Sequence, residues 1–150
     1  MIGKSGLNRS IKMTKELNIA NKLIAPCGMN CGICKAYLRD KNTCPGCRES
    51  DENKAVSCKR CIIKNCQVLS ENNWKFCFKC GKYPCARMKS LDERYRRKYR
   101  MSMIENLKNI EEHGIRRFVR NEKLRWQCSE CGGVICVHGG YCFSCNAKMQ

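Results

Sequence analysis

The chain has 150 residues, within the length of a single domain, and sixteen of them are Cys, against 4 Phe, 5 Tyr and 2 Trp. So few aromatic side chains argue against a large conventional hydrophobic core, and crosslinks are expected to supply what apolar burial cannot. The formal charge is +17; no run of apolar residues is long enough to span a membrane, and residues 1–26 are too polar and basic to hold a secretory signal core. A cytoplasmic location is expected.

Residues 1–26 read as a basic arm, with five Lys/Arg and one Glu. Residues 1–14 have no periodicity, and Lys15 to Leu23 is a candidate short helix leading into the first cysteine. Residues 27–85 hold eleven cysteines: Cys27, Cys31, Cys34, Cys44, Cys47, Cys58, Cys61, Cys66, Cys77, Cys80 and Cys85. Interspersed Gly, Pro, Asn and charged residues predict loops, knuckles and short helices around metal, with Ile33 to Arg39 the one extended helix candidate.

Residues 86–126 contain no cysteine. Leu91, Tyr95 and Tyr99 recur every four residues, one stripe of an amphipathic helix, with Arg94, Arg96, Arg97, Lys98 and Arg100 around it. Ser102 followed by Glu105 has the spacing of a capping box, so a second helix is predicted from Met103 with Met103, Ile104, Leu107 and Ile110 on its apolar face. Gly114 fits its end. Ile115, Phe118 and Val119 predict a third helix that stops before Trp126. Residues 127–150 carry one acid and one base and form the last module. There Cys128-x-x-Cys131 and Cys142-x-x-Cys145 flank a short strand over Val134 to Val137 and a turn at Gly139-Gly140, the plan of a zinc ribbon.

An even number of cysteines permits disulfides. Most of them, however, lie in C-x-x-C pairs, whose two-residue spacing lets one tight turn present both sulfurs to one tetrahedral ion. Metal sites are therefore expected over a secreted disulfide scaffold. Cys128, Cys131, Cys142 and Cys145 form the clearest ligand set. Cys136 reads either as a small buried hydrophobe or, with His138, as a donor to a neighbouring metal. The eleven N-terminal thiols do not divide by four, and adding Cys136 makes twelve, enough for three further sites. One grouping is Cys44 and Cys47 with Cys58 and Cys61; another is Cys66 with Cys77, Cys80 and Cys85; cross-braced pairings are equally permitted. The expected cofactor is Zn²⁺, three or four ions, with an iron–sulfur cluster as the alternative because thiolates serve both. Four Zn(Cys)₄ centres would lower the charge to about +9, since each holds four thiolates around a divalent ion. Cys27, Cys31 and Cys34 share their C-x-x-x-C-x-x-C spacing with radical enzymes that bind S-adenosylmethionine, but no parallel α/β pattern follows.

The segment Ala25-Pro26-Cys27-Gly28-Met29-Asn30-Cys31-Gly32-Ile33-Cys34 resembles the opening motif of family 3795 of the domains of unknown function, described as zinc-binding. Cys44-Pro-Gly-Cys47, Cys58-x-x-Cys61-x-x-x-x-Cys66 and Cys77-x-x-Cys80-x-x-Tyr83-Pro84-Cys85 continue the resemblance, and later segments through the terminal ribbon extend it to about residues 24–146. It implies a metal-binding protein and brings no reaction with it.

The expected fold is a small metal-stabilised α+β protein. It comprises the basic arm 1–26, a multi-metal cysteine-rich module 27–85 with zinc knuckles, basic amphipathic helices 86–126 and a zinc-ribbon module 127–150. The expected function is non-enzymatic: structural metal displaying a basic helical surface to an unknown protein or nucleic acid, with no membrane and no specific small molecule. Arg94, Arg96, Arg97, Lys98 and Arg100 are the candidate phosphate or partner contacts. Tyr95 and Tyr99 are either packing residues or stacking platforms for bases. The alternatives are an iron–sulfur redox protein, a nucleic-acid-binding zinc protein and a small zinc enzyme. The last lacks support from the two histidines, His113 and His138, neither of which lies in an H-E-x-x-H pattern. Metal removal is expected to unfold much of the chain.

Overall fold

Between Ala86 and Arg125 the chain is almost entirely helical. The structure, a computed structural model, describes residues 19–149. Helix α4 (Ala86–Tyr99) turns Met88, Leu91, Asp92, Tyr95 and Tyr99 inward at three- and four-residue spacing and leaves its Arg and Lys side chains outside. It ends at Arg100, which adopts a left-handed conformation (φ 53°) and donates its N–H to Tyr95. Helix α5 (Met103–His113) starts where the S-x-x-E spacing predicts: Ser102 Oγ accepts from the Glu105 N–H at 3.0 Å. Asp92 completes this cap from the preceding helix. Its Oδ1 accepts from Ser102 Oγ at 2.6 Å and from the Ile104 N–H at 3.0 Å, while Arg96 Nε holds its Oδ2 at 2.9 Å. A buried carboxylate thus satisfies N–H groups that a helix start leaves without partners. Gly114, at φ 85° and ψ 159°, separates α5 from α6 (Ile115–Arg125), a backbone position that favours glycine. Helix α6 stops before Trp126, as its apolar pattern predicts. Helix α4 packs on α5, and α5 on α6.

The N-terminal part is built from turns and three short helices, α1 (Lys35–Leu38), α2 (Val56–Lys59) and α3 (Gln67–Asn72). Two expectations change here. The helix expected from Lys15 to Leu23 begins outside the described residues, and within them only the 3₁₀ turn Asn21–Leu23 is formed. The helix expected from Ile33 to Arg39 is broken at Cys34, which is extended (φ −79°, ψ 137°) between the 3₁₀ turn Cys31–Ile33 and α1. The break leaves Cys34 at the start of α1, where the Ala36 and Tyr37 N–H groups point at its sulfur. Helix α3 is one of the short helices expected within residues 27–85, but Gln67–Asn72 contains a single buried residue, Leu69, and so no stripe that marks its place.

The segment from Ile24 to Cys34 joins the pieces. Gly28 carbonyl accepts from Asn106 Nδ2 on α5 at 3.0 Å, and Asn30 Nδ2 donates to Glu122 Oε1 on α6 at 3.4 Å. Ile33 carbonyl accepts from the Val137 N–H at 3.0 Å, and Pro26 carbonyl accepts from the Cys77 N–H at 3.0 Å. Arg48 reaches over to the Ile24 and Lys75 carbonyls at 2.7 and 2.6 Å.

Strands β1 (Ile135–Cys136) and β2 (Tyr141–Cys142) form a small open antiparallel sheet in the register Ile135↔Cys142 and Cys136↔Tyr141. The expected strand over Val134 to Val137 is shorter because the Val137 N–H is diverted to Ile33. Buried apolar residues from every part form one core, including Ile24, Ile33, Leu38, Met88, Met101, Met103, Leu107, Trp126 and Val134. The aromatic count led to the expectation of a smaller core; Met, Leu, Ile and Cys fill it instead.

Candidate metal centre

Two C-x-x-C turns meet beside the hairpin. Cys128 and Cys131 follow α6 directly, while Cys142 is the last residue of β2 and Cys145 closes the turn after it. Their four sulfur atoms all lie within 4.8 Å of one another. Cys128 Sγ is 3.7 Å from Cys145 Sγ, and Cys131 Sγ is 3.5 Å from Cys142 Sγ. Sulfurs at about 2.3 Å from a tetrahedral zinc ion stand roughly 3.8 Å apart, so the group fits that ion closely. These distances are far from a disulfide bond of about 2.05 Å, and all sixteen cysteines are free thiols. Cys128 and Cys142 are buried; Cys131 and Cys145 face the surface.

Backbone N–H groups point at the sulfurs of Cys128, Cys131 and Cys142. Cys131 Sγ accepts from the Gly133 N–H at 3.4 Å. Burial raises Cys128, but N–H groups of Cys131 and Glu130 and the thiols of Cys145 and Cys142 outweigh it and bring it down to about 7. Burial pushes Cys131 up to about 12 and moves Cys142 in the same direction. A metal ion bound there would displace the remaining thiol protons. Four sulfurs close a tetrahedral shell and leave no position for water, which is the arrangement of a structural site.

Among the described residues this is the only group of three or more His, Cys, Asp or Glu side chains drawn together in this way. Of the eleven N-terminal thiols, Cys27, Cys31, Cys44 and Cys77 are buried, Cys58 is exposed and the other six are half-buried. They neighbour one another without closing to the same spacing. Burial, then the charges of Cys85, Cys66, Cys80 and Cys61, push Cys77 up to about 12. Burial, with Cys47, Cys34 and Cys44, raises Cys31 to about 12 against a backbone N–H from Cys47. Cys27 is raised by burial and by Cys47, Cys31 and Cys77.

Cys136 is fully buried on β1, outside the four-sulfur group. Both ring nitrogens of His138 are engaged by protein atoms. Nδ1 accepts from the Lys35 N–H at 3.3 Å, and Nε2 lies 3.1 Å from Tyr95 Oη. Burial, then Lys35, lowers its pKa and favours the neutral ring. Tyr95 and Tyr99 pack around that ring, with centroids 5.9 and 5.0 Å from it. Arg94, Arg96, Arg97, Lys98 and Arg100 are all exposed. Of these five, among the described residues, Arg96 alone has an ion pair, with Asp92. Arg116, Arg117 and Arg120 are exposed on α6, which meets α5. Spacing gave no sign of the buried polar residues that position the elements, Asn30, Asp92, Asn106 and Glu122; a signal existed only for Asn30, inside the cysteine motif.

Residues 23–90 match the family described as "Protein of unknown function (DUF3795)", so the resemblance carried by the Ala25–Cys34 motif holds over that segment. The four-sulfur group lies beyond the matched residues. Neither curated proteins nor solved structures match the chain.

Proposed function

We propose that this is a non-enzymatic zinc protein in which structural metal displays a basic helical surface to a macromolecular partner. The observation that carries the reading is the closed set of Cys128, Cys131, Cys142 and Cys145, with sulfurs at the spacing of a tetrahedral ion. In this reading the two C-x-x-C turns are knuckles and the hairpin is a zinc ribbon. The site begins three residues after α6 ends and shares buried Cys128 and Cys142 with the core, so an ion there fixes the hairpin against the helices. The partner surface is supported by the exposed cations of α4, whose inward face is occupied by packing. One Zn(Cys)₄ centre removes about 2 from the formal +17, so the basic character is largely retained.

Further ions among the N-terminal thiols, to the three or four expected from sequence, form the second part of the reading. Its support is that these thiols neighbour one another, Cys27 and Cys31 beside Cys47, Cys31 beside Cys34 and Cys44, and Cys77 beside Cys66, Cys80 and Cys85. Cobalt substitution tests the central site. Co²⁺ added to the metal-free protein is expected to give the visible bands of a tetrahedral thiolate complex. The Cys128→Ser/Cys142→Ser variant should lose one equivalent of that signal. An unchanged spectrum in the variant would place the metal elsewhere and refute the reading.

A further inference from the structure

Two adjoining hollows run along the turn between β1 and β2. One, of about 250 Å³, lies between the C-terminal end of α4 and the turn, with Lys98 and Arg100 on its wall. The other, of about 490 Å³, continues past Tyr141 to Lys148. Gly139, Gly140 and Met149 border both, so the two form one groove. Its three cations are exposed, and none has an ion-pair partner among the described residues. Residues 127–149 contain one acid, Glu130, which lines neither hollow.

Tyr141 gives the groove a second property. Its ring lies so close over Gly139 that a Cβ there would collide with it. Its backbone is held on one side by Cys136 and on the other by Lys148. Its half-buried ring lines the wider hollow and packs against Gly139. Tyr95 and Tyr99, the aromatics that the sequence offered for stacking, are instead packed against His138.

We propose that this groove binds single-stranded nucleic acid, with Lys98, Arg100 and Lys148 on phosphates and Tyr141 stacked on a base. The proposal rests on the preceding reading that the basic face of α4 meets a macromolecular partner, and it names that partner's chemistry. Cations alone would serve an acidic peptide equally well. A fixed ring beside them matches a chain that alternates phosphates with unstacked planar bases. Hollows of a few hundred Å³ admit single bases, whereas a duplex keeps its bases inside the stack.

The test is fluorescence anisotropy of the full, zinc-loaded chain. Its probes are a labelled oligouridylate and oligothymidylate of about a dozen nucleotides and a duplex of the same length, each titrated at several salt concentrations. Both single strands are expected to bind more tightly than the duplex. Lys98→Ala/Arg100→Ala/Lys148→Ala should weaken binding more than tenfold and make the log–log salt dependence shallower by about 2. Tyr141→Ala should weaken it roughly five- to tenfold with the salt slope unchanged. Tyr141→Leu, which keeps apolar bulk in the hairpin, should do the same. Arg116→Ala/Arg117→Ala/Arg120→Ala, which removes equal charge from α6, should have little effect.

Absence of single-strand binding, a preference for duplex, or full competition by polyglutamate with no loss in the Tyr141 variants would each overturn the proposal. So would an equal loss in the α6 variant. Zinc measured on the same samples separates the two readings. Zinc without single-strand binding rejects the groove alone, whereas a chain that takes up no zinc rejects the structural-metal reading.

Discussion

Asp92 and His138 show how much of this protein depends on single polar side chains at helix junctions. Asp92 joins the interior of α4 to the start of α5 through Ser102, Ile104 and Arg96. Asp92→Ala leaves a hydroxyl and an N–H without their charged acceptor, and a loss of about 2–3 kcal/mol is expected in denaturant unfolding. His138 is held neutral between Lys35, Tyr95 and Tyr99. Its folded pKa lies below its ordinary value, first through burial and then through Lys35. As pH falls below about 6.5, the unfolded chain takes up a proton at this ring before the folded chain does, so stability falls with pH across that window. Above it the contribution is complete. His138→Gln should flatten the pH dependence of the unfolding free energy between that pH and the lower folded pKa. A slope unchanged in the variant would assign the effect to another group.

The three long helices were legible as elements because their signals are local. The Leu91, Tyr95, Tyr99 stripe, the Ser102 and Glu105 spacing, and Gly114 each act within one or two turns of chain. The N-terminal elements were not legible. Helices of four to six residues carry no period, and nothing in the local pattern marks the extended backbone at Cys34 that interrupts the expected helix. The same contrast holds at the site. Cys128, Cys131, Cys142 and Cys145 were recognisable because two C-x-x-C turns on a short hairpin have one obvious way to meet. The groupings of the eleven other thiols depend on contacts between distant segments, such as Cys77 with Pro26 and Arg48 with Lys75, which spacing does not encode. Asn30 illustrates a constraint of this kind within a motif. It accepts from the Gly32 N–H at 2.9 Å and donates to Glu122 on α6. Asn30→Ala removes both links from a fully buried position, and a loss of about 1–3 kcal/mol is expected from thermal or denaturant unfolding, with zinc at the C-terminal site retained.

Across the whole molecule, one apolar core joins the helices, the cysteine-rich segment and the hairpin that carries the four-sulfur group, and it is larger than the composition implied. Met88, Met103, Leu107, Ile110, Phe118 and Val119 are buried among the helices, outside the thiol ligand set. No helix among the described residues is long and apolar enough to cross a membrane. The sequence led to the expectation that chelation unfolds much of the chain. With the observed core, removal of metal from the C-terminal site is expected to release the hairpin while most helical circular dichroism persists. Emission from Trp126, buried beside Cys128, should shift to the red at the same time. The central claim is that zinc occupies the four-sulfur site, and anaerobic purification followed by elemental analysis for zinc, iron and sulfide per chain tests it most directly. The account predicts stoichiometric zinc, no iron, and one zinc fewer in Cys128→Ser/Cys142→Ser. Stoichiometric iron with acid-labile sulfide, or the same zinc content in that variant, would contradict it.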